Sequence, residues 1–115
     1  MPKRRSGRSL VLAASVFAAL GDATRLELVT RLNDGQPRSI AQLAEGLDLT
    51  RQGVTKHLHV LERAGIVTSN TVGRESQFVY VPSAVKQATS YLETVSRQWD
   101  GALSRLKTFV EDRRD

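Results

Sequence analysis

Residues 39–65, SIAQLAEGLDLTRQGVTKHLHVLERAG, decide the fold. Ser39 followed three residues later by Gln42 is a capping-box pattern, and Ile40, Leu43, Ala44 and Leu47 then fall on one helical face. This spacing predicts a first helix of about two turns. Gly46 and Asp48 supply turn chemistry, Thr50 is a good N-cap, and Ala64-Gly65 marks the end of a second, longer helix. Two helices joined by so few residues have the proportions of a helix-turn-helix unit.

On the second helix Val54, Leu58 and Leu61 sit at i, i+4 and i+7 and face a core. At about 100° per residue, Gln52, Thr55, Lys56, His59 and Arg63 fall on the opposite side, with Arg51 beside them near the start. That face carries amide, hydroxyl and imidazole groups and three cations, with Glu62 alone on its flank. A merely solvated face more often mixes both signs of charge. Amide and guanidinium groups in the first turn can reach base edges in a major groove, and Lys56 and Arg63 can reach phosphates. The helix N-terminus itself favours an anion.

After Gly65 the apolar period changes from 3.6 to 2. Residues 66–72 and 77–81 read as β-branched or aromatic strands around Gly73-Arg74-Glu75, a hairpin signature. Upstream, residues 1–9 hold four cations and read as a flexible basic arm, able to track phosphates or simply to solubilise the terminus. Residues 10–20 form a helix apolar nearly all round, which implies burial on more than one side. Gly21 ends it, Asp22 caps the next helix, and Asn33-Asp34-Gly35 turns the chain toward Pro37. Pro82-Ser83 starts a last helix over residues 83–110, followed by a charged tail at 111–115. Along that helix Val85, Ala88, Leu92, Val95, Trp99, Ala102, Leu106 and Phe109 alternate in steps of three and four. A helix of about 40 Å at 1.5 Å per residue outruns so small a domain. Leu92, Val95, Trp99 and Leu106 are therefore expected at an interface between two copies.

Three phrases, FAALGDATRLELVTRL, SIAQLAEGLDLTRQGVTKHLHVLERAGIV and TVGRESQFVYV, resemble the arsenic-repressor (ArsR-type) family of bacterial winged helix-turn-helix regulators. The resemblance covers roughly residues 10–110. It implies a mainly α fold with a small β-hairpin, the wing, and with N- and C-terminal helices forming a dimer interface. It also implies a dimeric repressor that binds operator DNA and often releases it on sensing a metal or other signal. Arg25 lies in the matching motif, as a structural or phosphate-facing residue. Arg74 stands at the wing tip, either near an adjacent minor groove with Thr71 and Ser76 on phosphates, or as a solvent-exposed turn arginine beside Glu75.

Metal sensing in that family commonly uses cysteines on the recognition helix or carboxylate and histidine ligands on the last helix. This chain has no cysteine, and its two histidines, His57 and His59, point about 200° apart on one helix. No metal site or cofactor is expected, since about four convergent ligands would be needed. His57 lies beside the apolar face, where a partly buried, hydrogen-bonded histidine is the ordinary case. No Ser/His/Asp constellation or inward carboxylate pair supports catalysis, so the chain is not expected to be an enzyme.

The 115 residues suit a single domain, 40% hydrophobic and 25% charged, with 17 Lys plus Arg against 12 acids and a net charge of +5. A basic chain suits a polyanion, and by charge alone a membrane surface equally well. The longest apolar run, residues 10–20, is too short to span a bilayer, so no membrane partner is expected. It also continues into LGDATRLELV, where the family resemblance implies a helix, and this argues against a secretory signal and for a cytoplasmic protein.

Two function classes remain. One is a sequence-specific regulator binding a double-stranded operator through Arg51, Gln52, Thr55, Lys56, His59, Arg63 and Arg74 as a homodimer. The other is a winged-helix module that docks another protein. The amide-rich basic face favours the first, because a docking surface would carry exposed aromatics or leucines. Within the first class a small-molecule effector stays open, since an apolar pocket between the first and last helices would leave no motif.

Overall fold

A computed structural model describes the backbone of residues 2–113 and the side chains of residues 7–113. Local chemistry fixes most of its elements. Helix α1 spans Pro2–Leu20 and buries one face, Ala13, Val16 and Ala19. Asp22 then caps α2, Ala23–Leu32, by accepting from the Arg25 backbone N–H at 3.0 Å. Strand β1 is only Arg38–Ser39, and Ser39 at once caps α3, Ile40–Ala44. Both halves of the capping box are formed: Gln42 N–H donates to Ser39 Oγ at 3.2 Å, and Ser39 N–H to Gln42 Oε1 at 2.9 Å. Thr50 caps α4, Arg51–Arg63, through the Gly53 N–H at 3.0 Å. Gly65, with φ +77°, lets the chain leave α4 in a left-handed turn.

The wing follows as β2, Val67–Val72, and β3, Glu75–Tyr80, paired antiparallel from Val67↔Tyr80 to Val72↔Glu75. The loop is therefore two residues, Gly73-Arg74, tighter than the sequence suggested. Gly73 supplies the positive φ at the first central position that such a turn requires. β1 pairs with the other edge of β3, giving a three-stranded sheet of order β1-β3-β2. Beneath it Leu28, Leu32, Leu43, Val54, Leu58, Leu61 and Ile66 are fully buried in one core with Phe78. Each such leucine contributes roughly 1.5–3 kcal/mol of burial.

Helix α5, Pro82–Arg113, packs antiparallel along α1 and contributes only Ala84 and Ala88 to the buried set. Its 32 residues extend about 48 Å, which accounts for a molecule 73 Å long but 36 and 21 Å across.

Two expectations need revision. The segment expected as a flexible arm is helical from Pro2 onward, continuous with α1. Proline is tolerated in a first turn, and lysine and arginine are good helix formers, so the helix docked on α5 continues through them. Met1 and the side chains of Lys3, Arg4 and Arg5 lie outside the described residues, and with them the arm's expected contacts. Likewise the tail expected from Glu111 is helical to Arg113. Within the single chain α1 buries one side and leaves Leu10, Val11 and Phe17 exposed.

Candidate nucleic-acid interface

The core fixes which side of α4 faces out. With Val54, Leu58 and Leu61 fully buried, helical geometry leaves Arg51, Gln52, Lys56, His59 and Arg63 exposed within an arc of about 140°. Thr55 lies in the same arc, half-buried, its hydroxyl donating to the Arg51 carbonyl at 2.8 Å. That leaves its methyl and its lone pairs for a ligand. Glu62, the one acid on α4, accepts from Ser69 Oγ on β2 at 2.6 Å. Glu62 falls near the Arg51 edge of this arc, and its bond to the wing engages the one carboxylate there, leaving the stretch from Thr55 to Lys56 without an acid.

Burial falls along β2 from Val67 to Val72, which is 54% exposed, so the hairpin stands out from the domain with Arg74 exposed at its tip. Thr68, Asn70, Thr71 and Ser76 on the same hairpin are also exposed. These six α4 residues share one helix face, whereas Arg74 stands apart from them at the far end of the wing.

Two arginines hold this assembly from behind. Arg31 on α2 pairs with Glu27 at 3.1 Å and donates through Nη1 to the carbonyls of Leu43, at 3.0 Å, and Glu45. Those carbonyls belong to the C-terminal end of α3, which a five-residue helix leaves without internal partners. Arg25 donates to the Ala18 and Ala19 carbonyls and meets His57 on α4. Of its two anticipated roles, the structural one is what the geometry displays.

The opposite end of the molecule carries apolar surface. Leu92, Trp99, Leu103, Leu106 and Phe109 are each 53–63% exposed, and Val95 is half-buried. Among the described residues no single helix is long and apolar enough to cross a membrane.

Known proteins share this architecture. A family profile described as a helix-turn-helix domain matches residues 20–70. The HTH-type transcriptional regulator Rv2034 of Mycobacterium tuberculosis is 30% identical over 99 residues, which cover 86% of this chain and 89% of that protein. CmtR, another HTH-type transcriptional regulator of that species, is 35% identical over 82 residues, 71% of this chain and 69% of its own length. A solved structure of an ArsR-like transcriptional regulator from Rhodococcus sp. RHA1 superposes with a TM-score of 0.76 at 37% identity, over 87% of this chain and 93% of that one. The chain belongs to the ArsR-type family.

This ArsR-type protein is a DNA-binding transcriptional regulator. Its relatives are regulators and not enzymes. Sequence reasoning missed the roles of Arg31 and of the Ser69–Glu62 bond in presenting the regulator's outward face. The first had a signal, since a very short helix closed by the turn at Glu45-Gly46 needs a donor for its carbonyls. The second had none, because seven residues and a change of element separate the partners.

Proposed function

We propose that this ArsR-type regulator represses transcription by binding an inverted-repeat operator as a homodimer, in the cytoplasm where such DNA lies. The outward face of α4, cationic and amide-bearing with its one acid tied to the wing, is the observation that carries the reading. Gln52 has the geometry for adenine, Arg51 for guanine, and the Thr55 methyl for thymine. Lys56 and Arg63 serve as phosphate contacts, His59 lies between the two groups, and Arg74 approaches the neighbouring minor groove. The exposed seam on α5, with Leu10, Val11 and Phe17 on α1, supports a second copy related by a twofold axis. Two reading helices then face half-sites about one helical turn apart. A groove of about 830 Å³ between α1 and α5, lined among others by Leu10, Ser90, Tyr91, Thr94 and Val95, has room for a small effector.

Selecting bound fragments from genomic DNA, then titrating the protein on a selected duplex and its scrambled counterpart at two salt concentrations, tests the reading. Tight binding to the selected duplex that falls steeply with salt is expected. Equal retention of both duplexes would leave a docking module as the better account.

A further inference from the structure

We infer that Arg25 and His57 form a latch that sets the orientation of the reading helix against the end of α1. The inference rests on α4 being the DNA-reading element. One guanidinium bridges two helices beyond its own: Nε and Nη2 donate to the carbonyls of Ala19 and Ala18 in the last turn of α1, and Nη1 lies 3.2 Å from His57 Nδ1 on α4. Carbonyls in a last helical turn lack the usual i+4 partner, although Ala18 also accepts from the Gly21 N–H at 3.3 Å, so α1 offers Arg25 a fixed anchor. A guanidinium has only donors, so Nδ1 must accept and the imidazole is neutral with its proton on Nε2.

His57 is half-buried and lies about 100° or more around α4 from every residue of the outward arc, so it is no candidate for a DNA contact itself. Its action is on position. α1 belongs to the layer that carries the exposed apolar surface, and the latch therefore links that layer to the reading helix.

The charged groups against the ring are Arg25 and Asp22, whose Oδ2 lies 3.8 Å from Nδ1, beyond hydrogen-bonding distance. α1 presents carbonyls there, and on α4 itself Lys56 and His59 stand in the outward arc. The Arg25 backbone N–H holds the Asp22 carboxyl below the ordinary carboxylate range, so it is ionised at neutral pH. A protonated His57 has no lone pair for Arg25 and is drawn instead to Asp22, which opens the latch.

Four proteins test this: wild type, Arg25→Gln, His57→Leu, which removes the acceptor, and His57→Gln, which keeps an acceptor that does not titrate. Titrations on a duplex selected by the wild type are run at about pH 8 and about pH 5.5, a span in which histidine changes charge. At the higher pH, His57→Leu should bind about tenfold more weakly, the size of one charge-assisted hydrogen bond, and His57→Gln should bind as wild type does. On acidification wild type should weaken relative to His57→Gln, a comparison in which His59, present in both proteins, cancels.

Wild-type affinity in His57→Leu, or the same pH dependence in wild type and His57→Gln, would overturn the latch. A wild type that binds no duplex sinks the operator reading instead. The latch is then read separately from the imidazole ¹⁵N shift of Nδ1 and the amide shifts of α4. Movement of both on Arg25→Gln supports it, and unchanged spectra overturn it.

Discussion

In α4 the apolar stripe of Val54, Leu58 and Leu61 is wholly covered by the chain's own core, whereas in α5 the stripe loses its cover after Ala88. Past that point Leu92, Trp99, Leu103, Leu106 and Phe109 repeat at the same spacing with more than half of each in solvent. The two helices obey one pattern rule but differ in where the partner is. α4 sits against α2, α3 and the sheet, so its buried face is complete and its polar face is free for a ligand. α5 outruns everything but α1, and a contiguous exposed apolar strip of that length is the mark of an interaction surface. The stripe of the helix proposed to read DNA is covered within one chain; that of α5 is left for the second copy proposed above.

Substitutions on the two stripes should therefore differ in kind. The largest effect is expected from Trp99→Ala, because truncating an aromatic buried between subunits costs about 3–5 kcal/mol. Its loss of stability should depend on protein concentration, with dimer and operator affinity falling together. Leu58→Ala, at a fully buried position, should destabilise by about 2–5 kcal/mol at every concentration. Chemical unfolding at two protein concentrations a hundredfold apart separates the two behaviours. The same concentration response in both variants would erase the distinction between the stripes.

On the outward side of α4, Gln52→Ala and Thr55→Ala should each lose about 1–3 kcal/mol on the selected duplex and much less on a scrambled one. Lys56→Ala should weaken both alike and lower the salt slope by about one. Equal losses on both duplexes for Gln52→Ala and Thr55→Ala would remove them from base reading.

The smallest effect concerns the turn before β1. Arg38 donates twice to Asp34, each at 2.8 Å, and with the Gln36 N–H holds its carboxyl at about 2, below the ordinary 3.8. A carboxyl whose value is depressed on folding stabilises the protein above its unfolded value and ceases to as pH falls through the folded one. The wild-type advantage over Asp34→Asn should therefore be present at neutral pH and vanish between about pH 4 and pH 2. Thermal unfolding of both proteins across that range checks the sign.

What was legible in the sequence was local. The caps at Asp22, Ser39 and Thr50 and the turn at Gly65 depend on residues within four positions of one another, and each stands where its spacing placed it. The outward arc of α4 followed from period alone. Long-range partners were not legible. β1 is two residues, Arg38 and Ser39, without a strand pattern, and exists because β3 offers an edge some forty positions away. The Arg25–His57 contact spans 32 positions. The extension of α1 to Pro2 was missed because the run of cations was read as an arm, although lysine and arginine are good helix formers. The seam on α5 was readable as a stripe, and the single chain leaves most of it uncovered.

Sedimentation of the free protein at micromolar concentration, and of its complex with the selected duplex, tests the central claim most directly. The account predicts a free species near twice the 12.7 kDa chain mass and two chains on each inverted repeat. A well-folded monomer that still binds the full operator tightly as one chain would contradict it.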